Sequence, residues 1–149
     1  MIPVEVAPSG DLSATSTTTL ANWTGFSFAV TAGQTYKFKG RAYYAGDGGD
    51  ARLGFTAPSG TLRIGGAGLS ASATSLPGGV QTSDVIDASG EYLTIGTIAT
   101  FRHWVQFDGL FICSSSGTLQ VQGAQNTSNG TATVFQATGS YLSYTSHPT

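Results

Sequence analysis

Charged residues are scarce in this chain of 149 residues. They make up 9% of it, with 6 Lys and Arg against 8 Asp and Glu and a formal net charge of -2, whereas a typical globular domain has about 25%. Because phosphate binding depends on clustered Lys and Arg, this composition excludes a basic nucleic-acid-binding module. Hydrophobic residues reach 40% and aromatic residues 11%, which is too apolar for a disordered tail.

Cysteine and long apolar runs are also missing. Cys113 is the single cysteine, so a framework of internal disulfides is excluded and a reducing place of synthesis is favoured. No run approaches the roughly 18 apolar residues of a membrane span, and residues 1–5 lack the basic and apolar regions of a signal peptide. We therefore expect no association with a membrane.

The residue types that build catalytic sites are few and scattered. His103 and Asp108 lie five positions apart on one predicted strand, which places their side chains on opposite faces. No Gly-x-Ser-x-Gly elbow is present. Asp84, Asp87 and Glu91 adjoin turn residues, and we expect them to stabilise turns rather than to act as a catalytic pair. The chain is therefore not expected to be an enzyme, and no catalytic residue is predicted.

Metal and cofactor signatures are equally weak. No Cys/His cluster has the composition of a zinc site, and the acidic loop at residues 47–50 is too short for a complete calcium loop. The glycines at residues 65–68 are not followed by the Lys and Ser/Thr of a phosphate-binding loop. We expect no cofactor and no metal.

The sequence does contain a succession of short strands. Apolar residues alternate with polar ones at residues 23–30 and 36–44, and the strand at residues 101–113 is apolar on both faces, which is typical of a central strand or a subunit contact. No segment has helical periodicity. Strands separated by turns predict an all-β fold, an antiparallel β-sandwich of jelly-roll type.

The last third predicts a hairpin. Residues 118–124 and 131–137 alternate in the manner of strands around a turn that ends in Asn129-Gly130. Gly139 is then expected to turn the chain into a closing strand at residues 141–144. Residues 65–79, rich in Gly, Ser and Ala, are expected to form a long surface loop; an irregular strand within it is the alternative.

The sequence pattern of the first 21 residues differs from that of the rest of the chain. We predict an N-terminal arm at residues 1–21, followed by the sandwich domain at residues 22–149; a first strand plus a loop is the alternative. Ile2, Val4 and Val6 alternate with Pro3 and Glu5, and this segment is a candidate for strand addition to the sheet edge of a neighbouring molecule.

The chain has 2 Trp, 6 Tyr and 8 Phe residues, more large aromatic side chains than the core of one small sandwich can bury. We expect Phe26, Phe38 and Phe107 in the core, and Trp and outward Tyr residues at interfaces, where these residue types are enriched. The residues predicted to bind a partner are Ile2, Val4, Val6, Trp23, Trp104, Tyr141 and Tyr144.

Two segments carry a resemblance to a known group of proteins. Residues 20–44 read LANWTGFSFAVTAGQTYKFKGRAYY, and residues 117–130 read GTLQVQGAQNTSNG before Gly139-Ser-Tyr-Leu. They resemble the opening strands and the closing hairpin of small structural proteins of tailed bacteriophages. The resemblance implies a jelly-roll sandwich that forms homo-oligomers, often trimers, and has no enzymatic activity.

Two virion positions are compatible with that resemblance. The chain has no fibrous shaft, heptad or collagen-like repeat, which favours a capsid decoration (cement) protein that binds the major capsid protein on the outer surface of the virion and is made in the bacterial cytoplasm. The alternative is a tail-fibre or tail-tip module, or one that binds a host carbohydrate. Trp104 with Gln106, or Tyr43 and Tyr44 with Asp47, would then supply the aromatic platform.

Overall fold

The regular elements in the described part of the chain are β-strands. The structure, a computed structural model, describes residues 2–46, 49–69, 81–99 and 101–149. Within those ranges the strands are β1 (Val4–Val6), β2 (Leu12–Ala14), β3 (Ala21–Val30), β4 (Gln34–Ala45), β5 (Ala51–Thr56), β6 (Gly60–Leu69), β7 (Gln81–Ile86), β8 (Tyr92–Ile95), β9 (Arg102–Cys113), β10 (Gly117–Gln125) and β11 (Thr133–Pro148).

The strands form two antiparallel sheets. The smaller has the order β3-β10-β5-β8, and the larger has the order β1-β11-β4-β9-β6-β7, with β2 also paired to β11. Within the larger sheet, β4-β9-β6-β7 are four adjacent strands, and together with the smaller sheet they give the two four-stranded sheets of a jelly roll. The predicted fold is therefore confirmed, and β1, β2 and β11 widen one of its sheets.

Alternation along the strands explains how the sandwich closes. On β4 the side chains of Tyr36, Phe38 and Tyr44 are buried between the sheets, while Lys37 and Lys39 point to solvent. A period of two is what a sheet with one buried face requires. The strand β9 pairs with β4 on one side and β6 on the other, so its predicted central position is confirmed.

The predicted hairpin of the last third is wrong. The strand β10 belongs to the four-stranded sheet and β11 to the seven-stranded sheet, so the chain crosses the sandwich after Gln125. Gly139, expected to turn the chain, instead lies in a bulge of one continuous strand. Its φ is 86°, in the left-handed region that favours glycine, and the register with β4 shifts between Gln136 and Tyr141.

A serine stabilises that bulge. The Ser140 hydroxyl donates a hydrogen bond to the Gln136 carbonyl (2.6 Å) and accepts one from the Tyr43 backbone N–H (2.9 Å). It satisfies two backbone groups that the shifted ladder would otherwise leave without partners. The strand therefore runs on as far as Pro148 rather than ending at Gly139.

The N-terminal segment is docked on its own chain. Val4 pairs with Tyr144 and Val6 with Leu142, and β2 pairs with residues 133–135 of β11. Between these strands, the backbone N–H of Ser9 donates a hydrogen bond to the Thr24 carbonyl (2.9 Å). The alternative reading, a first strand plus a loop, describes this segment better than a free arm.

The glycine-rich stretch is also more regular than its composition suggests. Residues 60–69 form the single strand β6, paired with both β7 and β9, so the expected surface loop does not begin at Gly65. Gly66 is needed in this strand because a Cβ there would meet the side chain of Leu93 in the opposite sheet. Residues 70–79 of the expected loop lie outside the described residues.

Candidate functional site

The outer face of the seven-stranded sheet carries most of the side chains that could bind a partner. On β4 this face presents Lys37, Lys39 and Arg41, and on the adjacent β9 it presents Trp104 and Asp108. The cross-strand register places Lys39 opposite Asp108 and Tyr43 opposite Trp104. Two depressions lie at opposite ends of the face.

The first depression is a groove of about 630 Å³ that runs across the sheet from Pro3, beside β1, to Val85 on β7. Its walls include Pro3, Leu110 and Val85, and Lys37 and Lys39 stand along it. Among the described residues, neither lysine has a carboxylate within ion-pair distance. We refer to this depression as the basic groove.

Arg63 also lines the basic groove, but its charge is partly compensated. One guanidinium nitrogen, Nη1, lies 2.8 Å from Oδ2 of Asp87, and both side chains are more than half exposed. A solvent-exposed pair of this kind contributes little to stability. Asp108, the cross-strand neighbour of Lys39, also lines the groove. With this one carboxylate beside two lysines and the paired Arg63, the groove keeps a net positive charge.

The other end of the face is aromatic. Register places Tyr43 between Gln136 and Trp104, and Arg41 between Tyr141 and Gln106. We refer to this surface as the aromatic patch, which consists of Arg41, Tyr43, Trp104, Gln106, Gln136 and Tyr141.

Arg41 holds the aromatic patch together. Its guanidinium carbon lies 4.6 Å from the centre of the Trp104 ring, within the range of a cation–π contact. Its Nη1 donates a hydrogen bond to the Tyr43 hydroxyl (3.4 Å), and this bond raises the pKa of Arg41 above its ordinary value. The Nε of Arg41 is buried and has no hydrogen-bond partner among the described residues.

A second depression adjoins the aromatic patch. This hollow of about 410 Å³ is lined by Phe101, Arg102, Thr131, Val134 and Gln136, among others. Gln136 belongs to both the hollow and the patch, and Arg102 lies two residues before Trp104 on β9. The hollow and the patch therefore form one continuous surface.

The edge of the sheet at β1 exposes apolar side chains. Ile2 is 88% exposed and Val4 48% exposed, whereas Val6 packs against the core. In the described part of the chain, β11 is the strand that pairs with β1, and the other edge of β1 carries no further strand. Pro3 belongs to the wall of the basic groove, so this edge and the groove are contiguous.

The predicted partner-binding residues thus divide into two groups. Ile2, Val4, Trp104 and Tyr141 reach the surface, and the last two belong to the aromatic patch. Trp23 does not reach it: the side chain is fully buried against Phe26, and its Nε1 donates a hydrogen bond to the Gly10 carbonyl (2.7 Å).

The prediction for Trp23 is therefore wrong. The residue lies on the inward face of β3, where the N-terminal segment closes the open side of the sandwich over it. Tyr144 is intermediate, because its ring stacks on Phe28 with centroids 4.1 Å apart and the residue packs against the core. Tyr44, suggested for a sugar platform, is fully buried too, and Asp47 lies outside the described residues.

The residues with catalytic potential have structural partners. His103 is buried, and its Nε2 accepts a hydrogen bond from the backbone N–H of Ile98 (3.0 Å). Asp108 is exposed on the opposite face of the strand. The Glu91 carboxylate accepts hydrogen bonds from the backbone N–H groups of Asp87 (2.9 Å) and Ala88 (3.2 Å), which is the expected role in a turn.

Cys113 is buried, and burial raises the pKa of its thiol. The described ranges contain no group of three or more His, Cys, Asp or Glu residues that could hold a metal ion. In the same ranges, no helix has the length and hydrophobicity needed to cross a membrane.

Comparisons with known proteins add little to this geometry. No protein-family model matches the sequence, and no curated protein matches it. A solved structure described as "Structure of infectious bursal disease virus Gx strain" aligns with 97% of this chain at 12% sequence identity and a TM-score of 0.24. The chain spans 38% of the length of that protein, and at this TM-score the likeness supports no conclusion about function.

Proposed function

We propose that the protein is a structural component of a virion, a decoration protein that binds the major capsid protein on the outside of the shell as a homo-oligomer. The observation that carries this proposal is the exposed apolar edge at β1. Ile2 and Val4 are solvent-exposed beside the unpaired side of an edge strand. Such edges template the addition of a strand from another chain.

The direction of strand addition differs from the sequence-based expectation. Because β1 is already paired with β11, it does not reach out to a neighbour as a free arm. Instead, it presents its outer edge, to which a strand of the capsid protein or of another copy would add. The exposed side chains of Ile2 and Val4 would then be covered.

The basic groove extends the same contact. It begins at Pro3, directly beside the exposed edge, and its unpaired Lys37 and Lys39 complement an acidic surface. Charge complementarity of this kind sets orientation and specificity more than affinity. If an oligomer makes several weak contacts with one shell at the same time, its overall affinity for the shell exceeds that of any single contact.

The sequence resemblance to small structural proteins of tailed bacteriophages supports the virion role, and the jelly-roll topology agrees with it. A jelly roll alone serves many functions. The lack of a catalytic constellation in the described residues is consistent with binding as the activity, and we propose that the protein is not an enzyme.

A shell-binding assay tests the proposal. Shells assembled without this protein are mixed with the wild type or with Val4→Glu, which places a charge on the exposed edge. We expect Val4→Glu to lower occupancy on the shell at least tenfold while the unfolding midpoint stays near that of the wild type. The matched control is Ala29→Glu, which places the same charge at an exposed position of β3, an edge strand of the other sheet.

Equal occupancy for wild type and Val4→Glu would overturn the proposal that the β1 edge binds the shell. Electron microscopy of the particles gives the position and the copy number. Density on the tail instead of the shell would contradict the decoration role.

A further inference from the structure

We propose that the aromatic patch and the adjoining hollow form a binding site for an acidic oligosaccharide, a sugar chain that bears carboxylate groups. The site shares the outer face of the sheet with the basic groove. Asp108 of the groove and Trp104 of the patch are four residues apart on β9, about 13 Å along an extended strand. The proposal does not rest on the virion role.

The first argument is the exposed tryptophan. Trp104 is 43% exposed at an outward position of β9, one of the inner strands of the sheet. The C–H groups on one face of a pyranose ring carry weak positive charge and pack well against the negative face of an aromatic ring. Arg41 on one side of the ring fixes its orientation before any ligand arrives, which lowers the entropic cost of binding.

The second argument is the set of planar polar groups around that ring. Gln106 and Gln136 supply amides that both donate and accept hydrogen bonds, and Tyr43 and Tyr141 supply hydroxyls. They lie on the adjacent strands β11, β4 and β9, which are about 4.8 Å apart. That spacing is close to the width of one sugar ring, so neighbouring strands can contact neighbouring hydroxyl groups.

The third argument is charge. Arg41 and Arg102 both lie at this end of the face, and neither belongs to the ion pair found within the described residues, which joins Arg63 and Asp87. A guanidinium binds a carboxylate through two parallel hydrogen bonds. The patch therefore favours an anionic sugar over a neutral one.

The fourth argument is shape. The hollow of about 410 Å³ beside the patch falls within the range of roughly 300–1,000 Å³ that small-ligand sites occupy. Phe101, 48% exposed, forms an apolar wall, and Arg102, Thr131 and Gln136 provide polar contacts. One sugar residue in the hollow and the next on Trp104 would use both parts of the surface.

The two tryptophans make binding directly measurable. Trp23 is fully buried and Trp104 is exposed, so a ligand that covers the patch should protect the second from a soluble quencher such as acrylamide and leave the first unchanged. The probes are trisaccharides of galacturonic acid, of glucuronic acid and of sialic acid. Their methyl esters keep the rings and remove the charge.

We expect at least one acid to bind with a dissociation constant of about 0.1–1 mM and its ester to bind at least tenfold more weakly. Trp104→Ala should abolish binding, measured by calorimetry. Arg102→Gln should weaken binding of the acid at least fivefold and change binding of the ester little. The matched control is Tyr92→Ala, because Tyr92 is also exposed and has an arginine, Arg52, 4.3 Å from its ring centre on the other sheet.

Three outcomes would overturn the proposal. The first is no binding of any of the three acids by the folded wild type. The second is equal affinity for acid and ester, which would remove the role of the arginines. The third is a loss of shell binding or of self-association in Trp104→Ala with no effect on sugars, which would make the patch a protein interface.

Discussion

The ring of Phe107 on β9 covers the backbone of Gly40 on β4. The two residues are directly paired across the sheet, and a Cβ on Gly40 would lie 2.5 Å from Cζ of Phe107 and 2.5 Å from the Tyr141 carbonyl oxygen. Two residues further along the same strand pair, the arrangement is reversed: Phe38 on β4 covers Gly109 on β9. Each glycine makes room for a core aromatic ring from the neighbouring strand.

This packing predicts that Gly40→Ala destabilises the protein. The added methyl group would force the Phe107 ring or the strand β11 to move, and overpacking of this kind costs about 1–3 kcal/mol. Chemical denaturation followed by circular dichroism measures it. The control is Gly65→Ala, where an added Cβ meets open space; an equal loss in both variants would show that strand conformation, not the aromatic ring, is responsible.

The buried position of Trp23 predicts that its replacement strongly lowers the free energy of unfolding. Replacing it with Ala removes its packing against Phe26 and Phe135 and leaves the Gly10 carbonyl without its donor, so we expect a loss of about 3–5 kcal/mol. Trp23→Phe, which keeps most of the ring, should cost less. The corresponding Trp104→Phe, at the surface, should change the free energy of unfolding by under about 0.5 kcal/mol; equal losses at the two positions would contradict the structure.

Tyr44 predicts a loss of stability at high pH. Its buried hydroxyl donates a hydrogen bond to the Gly96 carbonyl (2.9 Å), and burial, with a further contribution from Asp50, raises the pKa of Tyr44 far above its ordinary value. An unfolded tyrosine loses its proton near pH 10, while the folded one keeps it. Above that pH the unfolded state binds fewer protons, so the free energy of unfolding falls as pH rises.

Urea unfolding between pH 7 and 11.5 tests this for Tyr44→Phe. We expect the variant to be about 1 kcal/mol less stable at pH 7, because the Gly96 carbonyl loses its partner, and to lose stability less steeply above pH 10. Tyr92→Phe, at a more exposed tyrosine, controls for the removal of a phenol. A slope equal to that of the wild type would show that Tyr44 does not cause the alkaline loss.

Cys113 predicts a protected thiol. The side chain is buried, its Sγ–H donates to the Ser115 carbonyl (3.1 Å), and burial raises its pKa. Because the thiolate is the reactive form, a colorimetric thiol reagent at pH 8 should label the native protein at least 100-fold more slowly than the urea-unfolded protein. Rapid labelling of native protein would mean that the end of β9 opens readily.

We expect the loss of stability to increase with the length of the N-terminal segment that is deleted. Deletion of residues 1–6 takes away β1, of which Val6 packs against the core, and we expect a folded protein that is destabilised by about 1–3 kcal/mol. Deletion of residues 1–14 also removes Leu12, the buried Ala14 and the Gly10 carbonyl that binds Trp23. We expect that variant to be unfolded by near-ultraviolet circular dichroism, and a native spectrum would show that the segment is dispensable.

Alternation allowed the central strands to be predicted from sequence. The inward set of β4, with Phe38 and Tyr44, and that of β9, with Val105 and Phe107, follow a period of two without interruption. The same periodicity correctly placed the side chains of His103 and Asp108 on opposite faces of β9. Local pattern is sufficient here because one face of each strand is buried and the other is not.

Predictions from local sequence pattern were wrong or incomplete where pairing between distant strands determines the structure. Gly139 resembles a turn residue, yet β4 continues alongside and holds the chain in a bulged strand. Trp23 resembles an interface residue, and its burial depends on residues 7–14 folding back over it. The aromatic patch is assembled from three strands, so spacing along the sequence reveals Trp104 with Gln106 but not their contact with Arg41.

The long strand β11 binds both β1 and β2, so residues near the start of the chain find their partners among residues 133–144. During synthesis, the first two strands therefore have no native neighbour in the larger sheet until residues 133–144 have left the ribosome. Closure of the sandwich over Trp23 must then follow the emergence of β11, and a nascent chain stalled before Thr133 would leave β1 and β2 undocked.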